Sequence, residues 1–176
     1  MTKIQLDECI DCKRLAKACV KQNLVAIVRF PPELKTKVAR ENRLNRDELV
    51  LPRFLREGST VLTTDYPIDS DNATFIPEKH PGIIIISNAH PTPSVKFSDI
   101  EKTIDQFKVN VPNWHLLSWD NSITEISLEW VDVRYVERGH VKELQRLFFT
   151  DQSWPAKLAT TLTSNAQRNP PLSDQS

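Results

Sequence analysis

The sequence predicts an α/β fold: a three-layer α/β/α sandwich around a central, mainly parallel sheet, with an added C-terminal β-hairpin and tail. Short apolar runs at residues 4–6, 24–30, 60–63 and 83–86 alternate with segments of helical periodicity. The run Ile83 to Ile86 is apolar at every position, as in a strand covered on both faces. Beyond residue 113, strand-like segments follow one another closely, as antiparallel pairs do. A chain of 176 residues suits one domain with its own core. That domain is expected over 1–149, followed by a polar, partly disordered tail over 150–176.

The elements follow in order. Ile4 to Leu6 is a strand that ends at Asp7-Glu8, and a helix from Asp11 presents Cys12, Leu15, Ala16, Cys19 and Val20 on one face. Residues 24–30 form the second strand, closed by Pro31-Pro32. Residues 35–45 are basic and weakly patterned, a loop or short helix. Asp47 opens a helix whose apolar face is Val50, Leu51, Phe54 and Leu55; Pro52 is tolerated near its start, and Gly58 ends it. Strands follow at 60–63 and 82–87, separated by a long proline-rich loop over 66–81. Ser98 and Glu101 make a capping box for a helix that buries Ile100, Ile104 and Phe107. Strands are then expected at 114–118, 122–128 and 130–136, with a hairpin turn at Asp120-Asn121, and a surface helix at 140–150.

Composition limits the chemistry. Twenty-three basic side chains balance 23 acidic ones, so no global positive field announces nucleic-acid binding. Only three glycines occur, which excludes the clustered glycines of dinucleotide and Walker loops. Three cysteines make no disulfide framework. The N-terminus lacks signal-peptide features and no apolar run could span a bilayer, so the expectation is a cytoplasmic protein with no membrane partner.

Ligands bind open parallel sheets outside the carboxyl ends of the strands. Asp7 and Asp65 fall at such ends, and Asp47 begins the helix leading into the third strand. Three carboxylates meeting at one edge would repel one another unless a hard cation compensates them. The competing reading is that they are helix caps and solvated loop residues.

LDE at 6–8, RDELVLPRFLREGSTVLTTD at 46–65 and PGII at 81–84 stand in an order and spacing that resembles the PIN-like domains. These are short single-domain nucleases often found in toxin–antitoxin pairs. The resemblance covers roughly residues 3–135 and rests on no single motif. It implies a divalent-metal-dependent ribonuclease with Asp7, Asp47 and Asp65 as catalytic residues holding Mg²⁺ or Mn²⁺. The family continues with another acid two residues past the third aspartate; Pro67 stands there, and Asp69 is its replacement in the ligand set. RNA as substrate, an antitoxin protein and a second copy of the chain are the partners implied. The alternative is a catalytically weak PIN-like domain that serves as a protein- or nucleic-acid-binding module.

Lys13, Arg14, Lys17, Arg43 and Arg46 are the candidate phosphate contacts, with Lys35, Lys37 and Arg40 in the same basic run; the competing reading is a solvated face. Arg46 could instead pair with Asp47. Cys9-x-x-Cys12 would suit a thioredoxin-like redox pair, but Ile76-Pro77 lies in a loop rather than directly before a strand, and Asp11 would raise the thiol pKa. Cys12 and Cys19 are about 10.5 Å apart along a helix axis, too far to share zinc, and are expected to pack as small hydrophobes. His80 and His90 are expected in surface loops.

Overall fold

The computed structural model describes residues 2–8, 25–44, 46–64, 73–87 and 97–168. In chain order the elements are β1 (Thr2–Leu6), β2 (Val25–Val28), α1 (Lys37–Glu41), α2 (Asp47–Arg56), β3 (Thr60–Thr63), β4 (Ile83–Ile86), α3 (Phe97–Asn110), β5 (Ile123–Ile126), β6 (Trp130–Glu137), β7 (His140–Phe148) and α4 (Trp154–Arg168). The expected first helix lies outside the described residues, as do residues 169–176.

The strands form one seven-stranded sheet in the order β2-β1-β3-β4-β5-β6-β7. Strands β1 to β5 pair in parallel, whereas β6 pairs antiparallel with β5 and β7 with β6. The sheet is therefore mixed and not mainly parallel, because its two longest strands, β6 and β7, form the antiparallel part.

Alternation along each strand sends apolar side chains to both faces. Ile4, Leu6, Leu62, Ile84, Ile86 and Ile126 pack with Ile104 and Phe107 of α3 and with Leu158 and Leu162 of α4. Val61, Ile83, Ile85 and Ile123 pack on the other face with Val50, Leu51, Phe54 and Leu55 of α2. The buried faces expected for α2 and α3, and the two-faced burial of Ile83 to Ile86, are all present. At about 1.5–3 kcal/mol for each large apolar side chain removed from water, the four of α2 hold that helix down despite Pro52.

Three expectations are corrected. Residues 114–116 are a 3₁₀ turn, not a strand, so the first hairpin joins β5 to β6 through 127–129 instead of turning at Asp120-Asn121. Residues 140–148 are β7, not a helix. Residues 154–168, expected as tail, form α4, which buries Trp154, Leu158, Leu162 and Asn165. Asp151 and Ser153 start that helix: Ser153 N donates to Asp151 Oδ1 at 2.9 Å and Lys157 Nζ to Oδ2 at 2.6 Å. The hydrogen bonds from Lys157 and then Ser153 hold the Asp151 carboxyl far below the usual range. No helix among the described residues is long and apolar enough to cross a membrane.

Candidate functional site

The order β2-β1-β3 places the chain's reversal of direction at β1. One crossover leaves β1 toward β2, while β3 lies on the opposite side, so a crevice opens at the carboxyl ends of β1 and β3. Asp7 is the first residue beyond β1 at that point. Its amide donates to the Leu62 carbonyl at 3.0 Å, which carries the parallel ladder one residue past the strand. The side chain is tied as firmly: Thr63 Oγ1 donates to Oδ2 at 2.7 Å, and Glu8 N donates to Oδ1 at 2.7 Å.

Glu8 has a different environment. Arg40 of α1 reaches its Oε1 at 2.6 Å, so this carboxylate is matched by a cation of the same chain. Other members of the basic run are engaged too. Lys37 pairs with Glu41 at 3.7 Å, and Lys35 lies 5.9 Å from the Phe30 ring centre. Arg43 and Arg46 are exposed, Arg43 in the left-handed region at φ 56° and Arg46 at the cap of α2.

Asp47 is the first residue of α2. This helix precedes β3 in a crossover and returns antiparallel to it, and its ten residues cover about 15 Å, close to the length of the strand. The backbone of Asp47 therefore lies toward the same carboxyl edge as Asp7. Asp65 follows Thr63 by two residues but lies outside the described residues, as do Asp69, Lys13, Arg14, Lys17, all three cysteines and His90. Among the described residues no group of three or more His, Cys, Asp or Glu is gathered closely enough to hold a metal ion. The donors that are described, the Asp7 carboxylate and the Thr63 hydroxyl, are hard oxygens of the kind Mg²⁺ and Mn²⁺ take.

The sheet also carries a polar row that sequence reasoning missed. Asp7 flanks Thr63, and the register continues Thr63, Ile85, Glu125, Asp132, Arg146 across successive strands on one face. Glu125 and Asp132 are buried acids on adjacent strands. Arg134 Nη2 donates to Glu125 Oε2 at 2.6 Å and to Asp132 Oδ2 at 2.7 Å, and Arg146 Nη2 donates to the same Oδ2 at 2.9 Å. The hydrogen bond to Asp132 raises the Arg146 pKa still further, so it stays charged. Three strand spacings, roughly 14 Å, separate Asp7 from Glu125. That is too far to share a metal ion, so these acids do not complete the Asp7 site. They neutralise the two arginines and anchor β6 and β7. Their signal in the sequence was Val131-Asp132-Val133-Arg134, charges set at alternate positions among valines.

At the opposite edge, His80 is buried, not on the surface, and burial pushes its pKa down to about 4. Its Nδ1 accepts from the Gly82 amide at 3.0 Å. Gly82 has φ 105°, and a Cβ there would overlap the Trp119 carbonyl oxygen. Glycine is thus required where β4 begins.

Comparisons with family models, with curated proteins and with solved structures return no significant match.

Proposed function

We propose that this chain is a divalent-metal-dependent ribonuclease of PIN-like, three-layer architecture, working at the carboxyl ends of β1 and β3. The observation that carries the reading is the placement of Asp7 at the β1/β3 switch point, with its carboxylate fixed by Thr63 at 2.7 Å. Asp7, Asp47, Asp65 and Asp69 would hold Mg²⁺ or Mn²⁺. When bound, such an ion supplies charge to a phosphodiester and activates water for in-line attack.

The protein's own contribution is preorganisation. Thr63 and the Glu8 amide hold both oxygens of Asp7 before any ligand arrives, and such outer partners set ligand orientation. The exposed Arg43 and Arg46, with Lys13, Arg14 and Lys17, would neutralise RNA phosphates and make binding fall with salt. Residence in the cytoplasm, an antitoxin partner and pairing with a second copy belong to the same proposal.

A second reading rests on the Glu8–Arg40 pair, which satisfies one acid of the LDE triplet within the chain. In that reading the PIN-like scaffold serves as a binding module without turnover. Cleavage of a generic single-stranded RNA with Mn²⁺ separates the two. Asp7→Asn, Asp47→Asn or Asp65→Asn should each abolish cleavage while leaving the fold intact. Unchanged cleavage by Asp65→Asn would sink the nuclease reading, and a wild type that binds RNA or protein without cutting would favour the second.

A further inference from the structure

A cavity of about 260 Å³ opens at the amino edge of the sheet, on the far side from Asp7. Glu78, Asn121, Tyr135, Glu137, Asn165 and Arg168 line it, drawn from two loops, the end of β6 and the last turns of α4. Asn165 extends the buried stripe of α4 formed by Trp154, Leu158 and Leu162, a place where an apolar side chain would be expected.

Buried amides satisfy their hydrogen-bonding groups wherever they can. Here each satisfies one end. Asn121 Oδ1 accepts from the His80 amide at 3.1 Å, and Asn165 Nδ2 donates to the Asn121 carbonyl at 2.9 Å. Asn121 Nδ2 and Asn165 Oδ1 have no partner among the described residues, and neither is among the sealed, unpartnered atoms of the interior. Both residues face the cavity.

The remaining lining supplies acceptors and negative charge. Glu78 is fixed by a hydrogen bond from the Arg138 amide, and Glu137 is exposed beside it. Two carboxylates exceed the single guanidinium of Arg168, which is already placed 5.0 Å over the Tyr135 ring. The aromatic face thus accepts a cation within the molecule itself. A cavity of this volume has room for a ligand of amino-acid size.

We propose that this pocket binds a small organic cation with several N–H donors, of the guanidinium or primary-amine class. Its charged head would meet Glu78 and Glu137, and Asn165 Oδ1 would accept a further hydrogen bond. The site lies apart from the Asp7 crevice and does not depend on the nuclease reading.

Agmatine is the probe, with succinate as the anionic control, followed by ¹H–¹⁵N spectra of the full chain and by calorimetry. Agmatine should shift the side-chain amides of Asn121 and Asn165 saturably, and Glu137→Gln, at an exposed position that spares the fold, should weaken binding about tenfold. Succinate should do nothing. The absence of a saturable shift, an unchanged affinity in Glu137→Gln, or an equal response to succinate would each overturn the proposal.

Discussion

The Thr63 hydroxyl donates to Asp7 Oδ2 at 2.7 Å, linking the ends of two neighbouring parallel strands at the one place where the sheet's connections diverge. A hydrogen bond in this position fixes which way a carboxylate faces. If Asp7 is a metal ligand, Thr63→Val should weaken Mn²⁺ binding by about 10–100-fold, the range for loss of such an outer partner. Thr63→Ser should retain most of the affinity. Calorimetric titration of both variants checks this, and equal affinity in Thr63→Val would remove Thr63 from the site.

His80 ties stability to pH. Its Nδ1 accepts a hydrogen bond, so the ring is neutral in the fold, and burial lowers its pKa from 6.5 to about 4. Between those values the unfolded chain binds more protons than the folded one, so stability rises with pH. The contribution is complete above the unfolded pKa and is lost as pH falls through the window toward the folded value, a loss on the order of 3 kcal/mol. Urea unfolding across this window should show that slope in the wild type and a shallower one in His80→Gln.

The Glu125–Arg134–Asp132–Arg146 network should be sensitive to partial removal. Asp132→Ala leaves Arg134, whose side chain is 12% exposed, facing fewer negative partners, and should cost about 3–5 kcal/mol. Replacing Glu125, Asp132 and Arg134 together by leucine or methionine should cost much less, because no buried charge is then left alone. Denaturant titration of the single and triple variants distinguishes these outcomes.

Gly82→Ala should destabilise the fold by roughly 2–4 kcal/mol, since it adds a strained φ to a backbone overlap with Trp119. Gly58→Ala is the control. It shares a positive φ of 73° but has open space around it, so it should cost less. Thermal unfolding of the pair measures the difference.

Where local pattern and tertiary packing agreed, the elements were legible. The bounds of β3 and the apolar face of α2 could be read directly, because Thr60 to Thr63 is bracketed by Gly58 and an acid, and Val50, Leu51, Phe54 and Leu55 repeat at helical spacing. Strand β7 was misread for a physical reason. Its ladder shifts register opposite Val133 and Arg134, so Leu144 is an extra residue, and Val141, Leu144 and Leu147 fall three apart as in a helix. Helix α4 was hidden by its narrow stripe, three apolar residues and an asparagine among polar neighbours, although Asp151, Ser153 and Pro155 marked its start. For the site, Asp7 at a strand end was readable from local sequence. The Thr63 contact was not, because it spans 56 residues and depends on which strands become neighbours.

The most direct test of the central claim is a calorimetric Mn²⁺ titration of the wild type beside Asp7→Asn. The account predicts saturable binding in the wild type that is lost in the variant, with both proteins folded. Equal binding by the two proteins, or none by the wild type, would contradict it.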